Sequence, residues 1–188
     1  MHKLDLSTKQ IFRGNLLLIL CCCFYLAWWL LAFRPGGAIK GIKTGWLLLP
    51  AFAAGLTAVM LIVSGMRGAA AQRTTLLPKN RLLLGGIIAY CFLLLITRLL
   101  FKRPVTTELF LIVGWAVLAE INTLYGAGLL SLPAAAVLLV LTAAAALIGL
   151  VCYVLYYHLD LRSGYFAGMV PLLVAALVTA AISLIGRP

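Results

Sequence analysis

From Ala134 to Tyr157 the chain reads AAAVLLVLTAAAALIGLVCYVLYY, with no charged side chain along it. A membrane span needs about 20 apolar residues, because about 1.5 Å of rise per residue must cover roughly 30 Å of hydrocarbon. This stretch is long enough. Pro133 stands just before it, where an opening helix tolerates proline well. Inside lipid the segment must satisfy its own backbone N–H and C=O groups, so a single crossing run has to be a helix. The alternating apolar and polar pattern of a membrane barrel is absent.

Five further runs have the same character: Asn15–Phe33, Trp46–Gly65, Arg81–Phe101, Leu109–Leu130 and Tyr165–Ile185. The punctuation between them is consistent. Arg34-Pro35-Gly36-Gly37 closes the first run and Lys102-Arg103-Pro104 closes the third. The expectation is an all-α integral membrane protein, a bundle of six transmembrane helices with short loops, forming one domain over residues 1–188. The first run follows a basic start, yet its apolar part is too long for a cleaved signal and no small-x-small site precedes Arg34, so it reads as a retained helix.

Composition carries the same message. Of 188 residues, 65% are hydrophobic and 10% charged, where a soluble domain carries about 25% charged. Mean hydropathy is +1.16. A soluble chain of this length cannot hide so much apolar surface. That excludes a soluble enzyme, a secreted disulfide scaffold and a disordered chain. The five cysteines, Cys21, Cys22, Cys23, Cys91 and Cys152, all lie in apolar runs with no CxxC spacing, so they read as small hydrophobes rather than metal ligands.

The net charge is +11, from 15 Lys and Arg against Asp5, Glu108, Glu120 and Asp160. The cations cluster between apolar runs, which points to anionic lipid headgroups rather than nucleic acid. Lys40, Lys43, Arg67, Arg73, Lys79 and Arg81 are the expected headgroup contacts. With the amino terminus placed in the cytoplasm, Lys3, Lys9, Arg13, Arg67, Arg73, Lys79, Arg81 and Arg187 lie inside, against seven cations outside. The balance is narrow. The cationic, acid-free loop Met66–Asn80 tips it toward both termini inside, in the plasma or inner membrane.

Glu120 is the most informative residue. It stands near the middle of Leu109–Leu130, and a central carboxyl costs about 2.5–3.5 kcal/mol on insertion scales. Such a group belongs in the bundle interior. It reads either as a relay for protons or cations and an anchor for a polar ligand, or as a structural acid bonded to a neighbouring helix. Thr123 shares its face one turn on. Asn122 and Tyr125 lie on another, so protein is expected all around this helix. Arg98 reads as a snorkelling cation near a span end, or as a partner for Glu108 or an anionic ligand. His158 and Asp160 are secondary candidates at the end of the fifth run, where a base or a helix cap would suit them.

Small residues four apart let helix backbones approach. Gly164 with Gly168 is the pair least explained by alanine abundance, and both are expected to face a neighbouring helix. Two motifs miss. Gly36–Thr44 reads GGAIKGIKT, but Ile42 interrupts the phosphate-loop spacing, and no GxSxG surrounds Ser64-Gly65. No cofactor or metal is implied. The leading expectation is a small polytopic transporter, or the membrane-embedded substrate-binding subunit of one, with a small-molecule ligand. The alternatives are a non-catalytic subunit or assembly partner in a larger complex or homo-oligomer, and a lipid-modifying enzyme using His158 and Asp160.

Overall fold

The computed structural model describes residues 2–34, 44–69, 79–96, 99, 107–156 and 158–185. All regular structure among them is helical: α1 His2–Ala32, a short 3₁₀ turn Thr44–Leu47, α2 Leu48–Ala69, α3 Lys79–Ile96, α4 Thr107–Gly126, α5 Leu132–Tyr156 and α6 Leu161–Ile185. Four helical segments among the described residues are long and apolar enough to cross a membrane: Leu6–Ala32, Gly45–Ala69, Leu132–Leu155 and Arg162–Ile185. Their outward faces are greasy. Phe52, Met60, Val140, Leu147 and Leu177 are all exposed, which water would penalise and hydrocarbon accepts. These features mark an integral membrane protein built as a helical bundle.

The first helix differs from its expected span. α1 begins at His2 rather than near Asn15, so it is about 46 Å long at 1.5 Å per residue. The reason lies in its two faces. Ser7, Thr8, Ile11, Gly14 and Asn15 are buried at helical spacing, while Leu6, Lys9, Arg13, Leu16 and Leu20 are exposed. The basic start is therefore an amphipathic extension of the span, with Lys9 and Arg13 on its exposed face.

α1 and α2 are antiparallel and nearly in backbone contact. A methyl group built on Gly14 would lie 2.6 Å from the Ile62 side chain and 3.0 Å from the Ala58 carbonyl. One on Gly65 would lie 2.7 Å from the Ser7 carbonyl and 2.6 Å from Ile11. Further along, Gly55 faces Cys21. The matching face of α2 is Ala51, Ala58, Ile62, Gly65 and Ala69, all buried. Small residues at this spacing permit the close approach.

The end of α4 also departs from expectation. The apolar run continues to Leu130, but the helix stops at Gly126. Gly128 takes φ 75°, a left-handed conformation that glycine adopts without Cβ strain. The N–H of Gly128 donates to Tyr125 O and that of Leu129 to Leu124 O, at 2.9 and 3.0 Å. This is a Schellman closure, and Leu124 and Leu129 both join the core beneath it. Ser131 then caps α5, its carbonyl accepting from Ala135 N at 2.9 Å. Leu138, Val178 and Ile182 bring α5 and α6 into the same core as Val117, Ile121 and Leu124 of α4.

Candidate functional site

α4 is the inner helix over its last three turns. No residue from Val117 to Gly126 is exposed. Glu120 is 2% exposed, with the buried Val117 and Leu124 one turn before and after it on the same face. Because α4 ends at Gly126, Glu120 stands about 9 Å from the helix end at 1.5 Å per residue, not at mid-helix. Asn122 is buried as well, so two polar side chains on different faces of α4 are enclosed by protein.

The partner of Glu120 is Asn15 of α1. Its Nδ2 donates to Glu120 Oε1 at 2.5 Å. Asn15 is itself 2% exposed, and its Oδ1 is buried without a hydrogen-bond partner. An orphaned buried acceptor costs about 1–3 kcal/mol. A desolvated charge without a partner costs more. Among the described residues, Glu120 is the one charged side chain in the buried set. The described cations Lys9, Arg13, Arg67 and Arg81 are all exposed. At this point in the bundle a buried carboxyl meets a buried amide whose oxygen lacks a donor.

Other polar side chains are satisfied locally. Thr123 Oγ1 donates to Ala119 O, Thr142 Oγ1 to Leu138 O and Thr179 Oγ1 to Ala175 O, at 2.7, 2.7 and 2.8 Å. Each hydroxyl turns to the preceding turn of its own helix, the usual solution in lipid. Thr123 is thus beside Glu120 in sequence but engaged elsewhere. Tyr125 packs against the apolar core.

At the opposite end, α1 meets α6. Trp29 Nε1 donates to Tyr165 O at 3.0 Å, and Tyr165 OH donates to Leu30 O at 3.2 Å. Gly168 lies directly under the Trp29 ring, which a methyl group there would overlap. Gly164 is buried and donates its N–H to Asp160 O at 2.8 Å. Asp160 caps α6. Its carboxylate accepts from the Ser163 hydroxyl and from the backbone N–H groups of Arg162 and Ser163, which holds the carboxyl below its usual range. His158 is exposed on the preceding turn. Among the described residues, no three His, Cys, Asp or Glu side chains gather as a metal site.

Arg98, Lys40, Lys43 and Arg73 lie outside the described residues, as does the side chain of Lys79. Asn15 is the residue that sequence reasoning passes over, since it marks only the start of an apolar run. The signal was the spacing Ser7, Ile11, Asn15, which puts polar and apolar groups on one face of a helix that begins earlier. No protein-family model, curated protein or solved structure matches the chain.

Proposed function

We propose that the chain is a small polytopic transporter of the plasma or inner membrane, or the membrane-embedded substrate-binding subunit of one. In this reading α3 and α4 also cross the bilayer, giving six spans with both termini in the cytoplasm. The observation that carries it is the Asn15–Glu120 pair, buried between two helices. Ionisable groups inside a membrane bundle mark ion or substrate pathways by default. The pair offers acceptor oxygens and no positive charge, so it suits a proton or a donor-bearing cationic group rather than an anion.

Glu120→Gln keeps the shape and most hydrogen bonding while removing ionisation. Native mass spectrometry from mild detergent should find a small molecule retained by the wild type and lost from the Gln variant, with similar melting temperatures, since the Gln amide offers an acceptor and a donor where a neutral carboxyl does. Equal retention in both proteins would remove Glu120 from the pathway. Co-purification of a second polypeptide with no small molecule would favour the assembly-partner reading instead.

A further inference from the structure

We propose that the Asn15–Glu120 pair is a proton-binding site, with one proton on the second carboxyl oxygen of Glu120 and Asn15 Oδ1 as its acceptor. The proposal deepens the transport reading, on which its role as a coupling site rests. The chemistry stands on the geometry of the pair.

Two deficits meet at this point in the bundle. Asn15 Oδ1 is buried with no donor, and the Glu120 carboxylate is buried with no cation among the described residues beside it. A single proton removes both. An amide and a carboxylic acid are complementary: the amide N–H donates to one carboxyl oxygen while the acid O–H donates to the amide oxygen. The first of these two bonds is already made, from Asn15 Nδ2 to Glu120 Oε1. Rotating the amide by half a turn exchanges nitrogen and oxygen and sets two acceptors face to face. That arrangement also calls for a proton between them, then on Oε1, so proton binding at the pair does not depend on which way the amide points.

The surroundings favour a proton over a larger cation. A hard metal ion draws on a shell of several oxygens, whereas on the Glu120 face of α4 Val117 and Leu124 are apolar and the Thr123 hydroxyl is engaged with Ala119 O. Among the described side chains, the charged groups of the packed helices are exposed: Lys9 and Arg13 of α1, Arg67 of α2, Arg81 of α3 and Arg162 of α6; α5 contains no Lys, Arg, Asp or Glu. In the binding step a hydronium ion gives its proton to the carboxylate, forming the O–H bond and leaving water. Release reverses this, with the proton returned to water.

Infrared spectroscopy of the full chain in lipid vesicles reads this directly, because the chain has only four Asp and Glu side chains. At neutral pH the wild type should show the carbonyl stretch of a protonated carboxyl. Glu120→Gln should abolish that band, and Asn15→Leu should shift it. Transfer to heavy water should move it as the proton exchanges, and replacing choline chloride by sodium chloride should leave it unchanged. A carboxylate signature alone at neutral pH would overturn the proposal. A protonated band that never exchanges would assign a static structural acid, and one erased by sodium would assign an alkali-cation site. Either outcome overturns it. None of these readouts requires transport, so a failure here is distinct from unchanged ligand retention in the Gln variant.

Discussion

At Asn15 and Glu120, each side chain is costly alone and tolerable as a pair. Asn15→Leu leaves the carboxyl without its amide donor, and Glu120→Leu leaves a buried amide without its acceptor. Each should destabilise by about 1–3 kcal/mol. The Asn15→Leu/Glu120→Leu double variant should lose clearly less than the two together, because no polar group is then orphaned. Thermal melts of all four proteins in one detergent measure this, and strict additivity would mean that the two side chains do not meet. Asp160 makes a separate prediction. Its carboxyl is held below the usual range in the folded chain, so its capping contribution is present at neutral pH and is lost as pH falls through the folded value. Asp160→Asn keeps a capping oxygen. It should flatten the acid limb of the stability profile while changing neutral stability little.

The helices themselves were legible in the sequence, and their ends were not. Length and hydropathy place α2, α5 and α6 because each is an apolar run with a turn on either side. The end of α4 is hidden in sequence, since Ala127, Leu129 and Leu130 are as apolar as any span and only the backbone of Gly128 reveals a turn. The start of α1 is hidden as well, since its first turns mix lysine and arginine with buried serine and threonine. For Asn15 the Ser7–Ile11–Asn15 spacing marks a buried face, but its pairing with Glu120, 105 positions away, lies beyond any local pattern. Packing between helices was partly legible through glycine spacing. Gly168 sits beneath Trp29, so Gly168→Leu must displace an indole that also bonds Tyr165. Overpacking of this kind costs about 1–3 kcal/mol. The melting temperature should fall, and Trp29 fluorescence should shift as the ring moves. Gly45, with open space around it, is the control at which leucine should leave both unchanged.

For the molecule as a whole, the close α1–α2 pair and the α1–α6 contact fix how the ends are arranged. The antiparallel approach of Gly14 to Ile62 and of Gly65 to Ser7 puts the start of α1 and the end of α2 on one side. Trp29 meeting Tyr165 and Gly168 puts the start of α6 at the other end of α1. The end of α6 therefore returns to the side where α1 begins. Six crossings satisfy that parity, as four would. What separates these counts is whether α3 and α4 enter the bilayer. α4 holds a buried carboxyl and a buried asparagine, and an inner crossing helix accounts for both without exposing them to lipid. We therefore expect a reporter at Pro188 and a cysteine introduced between Ala69 and Thr75 to label from the cytoplasm, and a cysteine at Arg103 to label only from outside. Labelling of position 103 from the cytoplasm would leave α3 and α4 out of the bilayer and reduce the protein to four spans. Labelling of Pro188 and the Ala69–Thr75 loop from opposite faces would break the parity itself, and with it the packing of α6 on α1.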